Sequence, residues 1–284
     1  MKRFTKKWCF LILGVLVVGL NTQMARAVTV EYTDFSDLSD FTLNGSAATI
    51  NSSPVVYNGS TVLRLTNRLS QAGSAFLTNP VSLGIGSFGG SFQFQITNNY
   101  NDGADGLAFV MQPLSATQLG GGGGGIGYKG ISPSFAIEVD TWQNTEWDGQ
   151  NYNHVGVNIN GNMASLHKIY ITNPVDDGIV RNVWFDYDNQ TELLEIFLSR
   201  DNTKPGSQGL IFPVDGIMSN LGTDQVYLGF TSATGAASSD HDIRAWSFYS
   251  TEPTNAVVPE PASMLLLGSG LVGLLGLKKK NKKS

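Results

Sequence analysis

The stretch 138–154, E-V-D-T-W-Q-N-T-E-W-D-G-Q-N-Y-N-H, concentrates carboxylates, an amide and an imidazole in a short length of chain. Glu138, Asp140, Trp142 and Asn144 recur at every second position. On a strand, that spacing sends their side chains from one face, with Glu138 and Asp140 about 7 Å apart. Two carboxylates on one face repel unless something positive lies between them. A loop carrying Asn144 and Asp148 and ending at His154 can curl back over that face. Hard oxygen ligands suit calcium, and a mixed carboxylate and imidazole set suits a transition metal. The set reads as a paired metal site; the competing reading is an acidic surface hairpin that holds no ion.

The elements that must position these residues are strands. G-S-F-Q-F-Q-I-T alternates Phe92, Phe94 and Ile96 with polar residues, H-V-G-V-N-I-N alternates Val155, Val157 and Ile159, and R-N-V-W-F-D-Y-D alternates Val183, Phe185 and Tyr187. Period-two patterning marks half-buried strands, and the Gly, Asn, Asp and Ser clusters between them supply turns. Many short strands without helices predict an all-β fold of two packed antiparallel sheets.

Neither end belongs to that fold. M-K-R-F-T-K-K, an apolar run over 8–20 and then Ala25-x-Ala27 read as a secretory signal peptide, residues 1–27, with Val28 as the mature start. The single cysteine, Cys9, lies in that signal, so the mature chain forms no disulfide and any metal must be held by oxygen and nitrogen. Residues 252–258 read as a linker. Residues 259–284 carry Pro259-Glu260-Pro261, an apolar run over 262–277 and a lysine cluster, the pattern of a short membrane stop with a basic cytoplasmic flank. Between positions 28 and 258 stand 22 acidic and 8 basic residues, a net charge near −14. So acidic a surface offers no basic groove for nucleic acid.

Two resemblances follow from these residues. The 138–154 pattern is similar to the metal-binding loop of the legume-type (L-type) lectins, which have a concanavalin A-like β-sandwich (jelly roll) fold. Further segments match that family in order: L-R-L-T-N-R-L-S-Q-A-G-S-A-F-L from Leu63, A-D-G-L-A-F-V-M-Q from Ala104, V-W-F-D-Y-D from Val183, Y-L-G-F-T-S-A-T-G from Tyr227 and H-D-I-R-A-W-S-F from His241. The resemblance spans nearly all of 28–251. It implies a manganese-type site (Mn2+ or another transition metal) from Glu138, Asp140, Asp148 and His154. It implies a Ca2+ site from Asp140, the Trp142 carbonyl, Asn144 and Asp148; Glu146 is the other acid in that loop. For the sugar it implies Asp105 as acceptor, Asn144 as amide donor and a backbone N–H at Gly124 or Gly125. The variable loop that includes Gly235, Ala236 and Ala237 would tune the choice of sugar, with Trp142 or Tyr128 as stacking platform. A cis bond between Ala104 and Asp105 is also implied, and homodimers built on flat sheets are common in the family. The C-terminal end resembles the PEP-CTERM sorting signal of Gram-negative bacteria. That implies transient insertion in the inner membrane, cleavage by an exosortase-type enzyme and delivery to the cell surface or extracellular matrix.

The function so implied is metal-dependent binding of glycans or exopolysaccharide, without catalysis. A glycoside hydrolase on the same sandwich is the rival, since Glu138 and Asp140 could serve as its carboxylates, although Gln143 stands where a third acid is expected. A matrix protein that keeps the fold without sugar binding is the other. Gly125-x-Gly127-x-x-Gly130 formally fits a dinucleotide fingerprint, but Pro133 follows where a helix should begin.

Overall fold

The computed structural model describes residues 26–149, 152–207 and 209–251. Residues 1–25 of the expected signal, the linker and the sorting segment lie outside the described residues. The strands are β1 (Arg26–Tyr32), β2 (Phe41–Gly45), β3 (Val55–Tyr57), β4 (Ser60–Thr66), β5 (Ala72–Leu77), β6 (Val81–Ser82), β7 (Phe88–Tyr100), β8 (Gly106–Gln112), β9 (Phe135–Asp140), β10 (His154–Ile159), β11 (His167–Tyr170), β12 (Arg181–Asp188), β13 (Leu193–Ser199), β14 (Leu210–Pro213), β15 (Gln225–Ala233) and β16 (Ser238–Thr251). Among the described residues, helices are confined to α1 (Ser46–Ile50), α2 (Thr145–Asp148), α3 (Ile217–Leu221) and one 3-10 turn at Gly123–Gly125. β1 opens at Arg26, two residues ahead of the expected mature start. Cleavage after Ala27 would still leave the pairs from Val28 to Tyr32 against β16.

Two antiparallel sheets face each other. The back sheet runs β14-β13-β12-β7-β16-β4-β3 with β1 also on β16; the front sheet runs β11-β10-β9-β8-β15-β5-β2 with β6 also on β15. The alternation read from sequence meets here. Phe92, Phe94 and Ile96 of β7 and Val183, Phe185 and Tyr187 of β12 are buried in one core with Leu107, Phe109 and Met111 of β8 and Phe135, Ile137 and Val139 of β9. Each large apolar side chain so buried contributes about 1.5–3 kcal/mol. A second apolar cluster lies on the other face of the front sheet. There Ile126, Tyr128 and Ile131, from the long connection 113–134, cover Ala108, Val110 and Ala136. That cover is what seals the acidic end of β9 from water.

A polar chain crosses the sandwich. His241 Nδ1 lies 2.7 Å from Thr66 Oγ1, which lies 3.2 Å from Ser232 Oγ, and Ser232 donates to the Gly106 carbonyl at 2.7 Å. His241 is fully buried, and burial holds its imidazole down to about 3. Between that value and the free imidazole's 6.5 the unfolded chain takes up a proton that the folded chain refuses. Stability contributed by this residue is therefore complete above about pH 6.5 and falls as pH drops below it, by up to about 1.4 kcal/mol per pH unit. Denaturation curves between about pH 7 and 5 should show a shallower acid slope in His241→Asn than in the wild type; equal slopes would remove His241 as the cause.

Candidate metal centre and sugar constellation

β9 turns Phe135, Ile137 and Val139 into the main core, so Ala136, Glu138 and Asp140 leave the opposite face. The hairpin partner β10 places His154 opposite Asp140, Gly156 opposite Glu138 and Asn158 opposite Ala136. On the other side, β8 sets Gly106 beside Asp140 and Ala108 beside Glu138. Small neighbours thus make room for the carboxylates. A Cβ on Gly156 would stand 2.3 Å from Glu138 Oε1. Gly156→Ala should therefore displace Glu138 and weaken binding of a transition metal by about tenfold or more, the usual scale for a disturbed ligand support. Metal titration followed in parallel with circular dichroism checks this; stoichiometric retention of the metal with a native fold would contradict it.

Glu138, Asp140 and His154 are buried, and one ligand atom from each lies within 4.8 Å of the others. Glu138 is held by Tyr128, whose hydroxyl donates to Oε2, and by Ser165, which donates to Oε1 at 2.7 Å. His154 Nε2 is 3.4 Å from Glu138 Oε1 and 3.9 Å from Asp148 Oδ1. Neither ring nitrogen of His154 has a hydrogen-bond partner. Burial, and after it the charges of Glu138 and Asp148, push the Asp140 carboxyl well above its ordinary range. Asp148, at the end of α2, is buried; its Oδ2 accepts the Asn144 N–H at 2.7 Å and its Oδ1 lies 3.3 Å from Lys168 Nζ. Glu146 is exposed, so Asp148 is the acid that the loop turns inward. Crowded buried carboxylates and an unpaired imidazole are what a divalent ion would relieve: it would remove the repulsion and give the imidazole lone pair an acceptor. Asn144 Oδ1, buried and unpartnered, is the kind of hard oxygen a calcium ion takes. The residues fit both ions.

The residues expected to hold a sugar lie next to this cluster. The Ala104–Asp105 bond is cis. The Asp105 N–H donates to the Ala233 carbonyl and its own carbonyl accepts from Thr141, each at 3.1 Å, which fastens Asp105 between β15 and the metal loop. Asp105 is buried, its Oδ2 has no partner, and burial raises its carboxyl to about 7. A Cβ on Gly124 would lie 2.2 Å from Asn144 Oδ1, and one on Gly235 3.5 Å from Asp105 Oδ2. Glycine at these positions lets backbone come up against the two polar side chains.

Three of the expected residues are placed differently from the rest. Gly125 does not share the place of Gly124: its N–H is engaged by the Gly122 carbonyl at 3.0 Å, and a side chain there would meet Lys129. Gly123 borders the constellation instead, since a Cβ on Gly235 would lie 3.7 Å from its Cα. Ala237 is buried and its carbonyl accepts from Gly235, so it closes the turn, while Ala236 is exposed at the rim. Tyr128 is fully buried, donating to Glu138 and accepting from Asn158, and is not a stacking platform; Trp142 is half-exposed. Tyr128, as a support of Glu138, and Ser165, Gly156 and Lys168 went unnoticed in sequence. Only Gly156 left a signal, since a hairpin pairing His154 with Asp140 must set residue 156 opposite Glu138.

An antiparallel sandwich bearing a buried acidic and imidazole cluster beside a convergent polar site is the architecture of a carbohydrate-binding domain. Residues 27–263 match the legume lectin domain, and the chain belongs to that family. Residues 257–280 match the PEP-CTERM protein-sorting motif, which indicates export and surface sorting. The chain is 34% identical over 191 residues to the L-type lectin-domain containing receptor kinase VIII.1 of Arabidopsis thaliana, covering 65% of this chain and 25% of the kinase. It thus spans a small part of the length of such kinases. It is 28% identical over 239 residues to a lectin of Bauhinia forficata, covering 79% of this chain and 96% of that protein. The solved Bauhinia forficata lectin in complex with GalNAc superposes with a TM-score of 0.64 at 25% identity, covering 80% of this chain and 99% of that one. The basic winged bean lectin with Tn-antigen gives 0.63 at 27% identity, with the same coverage. The fold is the concanavalin A-like β-sandwich of these lectins.

Proposed function

We propose that the protein is a metal-dependent lectin. Glu138, Asp140, Asp148 and His154 would hold a transition metal such as Mn2+, and Asp140, the Trp142 carbonyl, Asn144 and Asp148 would hold Ca2+. Bound calcium would supply charge that fixes the loop. Asp105 then accepts from sugar hydroxyls, the Asn144 amide donates, and backbone at Gly124, with Gly235 and Ala236 at the rim, sets the shape. The observation that carries this reading is the approach of Gly124 to Asn144 and of Gly235 to Asp105 and Gly123, with Asp105 bonded through its backbone to Thr141, the residue after Asp140 of the acidic cluster. Polysaccharide or glycan is the partner class, and the galactose-type sugars named for the solved relatives, GalNAc and methyl-α-D-galactose, are the first probes.

The hydrolase reading loses support because Glu138 is sealed from solvent, with both oxygens engaged by Tyr128 and Ser165. The signal over 1–27 and the sorting segment fit export, transient inner-membrane insertion and exosortase-type processing, ending at the cell surface or matrix. A glycan array probed with calcium- and manganese-loaded protein tests the lectin reading. Specific binding to a defined set of glycans is expected; none above background would favour a structural matrix role.

A further inference from the structure

We propose that Lys168 is a built-in counter-cation of the metal centre: it holds the metal loop in place when no ion is bound, and it weakens the centre's grip on a transition metal. This rests on the reading of Glu138, Asp140, Asp148 and His154 as a metal centre, and adds a residue that touches one ligand without being one. β11 pairs with β10 so that Lys168 stands opposite Gly156, and Gly156 stands opposite Glu138 of β9. Directly opposed residues of antiparallel strands share a face. Lys168 therefore rises from the same face as Glu138, with a glycine between them. Its ammonium ends at α2, where Nζ donates to the Trp147 carbonyl at 2.5 Å and lies 3.3 Å from Asp148 Oδ1.

This placement sets a lysine and a metal ion against each other. Asp148 Oδ1, the oxygen beside the ammonium, is also the oxygen 3.9 Å from His154 Nε2. An ion held by Asp148 and His154 would share that oxygen with a positive charge. The Lys168 and Asp148 side chains are 13% and 2% exposed, so water and salt screen the pair little. Without an ion, the ammonium offsets part of the repulsion among the buried Glu138, Asp140 and Asp148. It also ties down the last turn of α2, where carbonyls lack helical partners. With an ion bound, the same ammonium repels it. One thermodynamic cycle links the two effects: whatever Lys168 adds to the metal-free fold beyond what it adds to the loaded fold is subtracted from metal binding. α2 has a second lysine contact without this property. Lys129 Nζ lies 4.0 Å over the Trp147 ring, but Lys129 is exposed, and water screens its charge.

The test compares full-length wild type with Lys168→Met, which keeps an unbranched apolar stem without the charge, and with Lys129→Met. Each is shown by elemental analysis to be metal-free, titrated with Mn2+ alone at constant ionic strength, and melted both metal-free and Mn2+-saturated. Lys168→Met should bind Mn2+ about tenfold more tightly than the wild type, inside the usual range of about 5–150-fold for coupled sites. Its melting temperature should fall about 3–6 °C further in the metal-free form than in the loaded form, the same tenfold read on the melting scale. Lys129→Met should leave Mn2+ affinity within about twofold of the wild type. Lys168→Gln, neutral but still polar at its end, takes the place of the methionine variant where circular dichroism shows that variant unfolded without metal, and should show the same signs. Mn2+ affinity in the Lys168 variant equal to or below that of the wild type, equal falls in melting temperature for the two forms, or a gain of the same size in Lys129→Met overturns the counter-cation and leaves the metal centre standing. Absence of Mn2+ binding by the wild type overturns both.

Discussion

Asp105→Asn is expected to abolish measurable sugar binding while metal content and melting temperature stay near those of the wild type. Asparagine keeps the shape of the side chain and removes its charge. A carboxylate accepting from two sugar hydroxyls makes two charge-assisted hydrogen bonds of about 1.5–3 kcal/mol each, so the loss is about 3 kcal/mol or more, beyond about a hundredfold in affinity. The fold does not depend on that charge. Burial already works against it, which is why the carboxyl is raised to about 7, and Oδ2 has no protein partner to lose. Calorimetry with an array-identified glycan, elemental analysis and a thermal melt on the same sample decide the matter. Affinity within a few-fold of the wild type would make Asp105 only the residue that turns the chain into β8.

Removal of bound metal should lower the melting temperature by about 5–10 °C. Ions that bind only the native state add about 2.7 kcal/mol at about a hundred times their dissociation constant, and a domain of this size moves about 2–4 °C per kcal/mol. The structural cause is the crowding of Glu138, Asp140 and Asp148 around the buried, unpaired imidazole of His154. Asp148→Ala should reproduce the loss, and calcium with manganese should restore the wild type but not the variant. Coincident melts for stripped and reloaded wild type would remove the cluster as a metal centre.

The parts of this molecule that follow from local pattern were legible in the sequence. Alternation in β7, β10 and β12 named the core face, and the two-residue spacing of Glu138 and Asp140 placed them together on one face of β9, which the fold turns away from the main core. What depends on contacts distant in sequence was not legible. Tyr128 reaches Glu138 because the connection 113–134 folds over the front sheet, and no periodicity in that glycine-rich stretch announces it. The distinction between Gly124 and Gly125 depends on which N–H the 3-10 turn engages, a matter of one residue in a run of six glycines. Thr141 reads as an ordinary polar residue next to Asp140; only the fold shows that its hydroxyl is buried, unpaired and beside a cavity.

The central claim is that a metal-ordered loop presents Asn144 and its neighbours to the sugar that Asp105 holds. The most direct measurement is a calorimetric titration of one array-identified glycan into protein shown by elemental analysis to be metal-free, and into the same protein reloaded with calcium and manganese. Loss of measurable binding in the stripped protein, regained on reloading, is the expected result. Unchanged affinity in verified metal-free protein would contradict it.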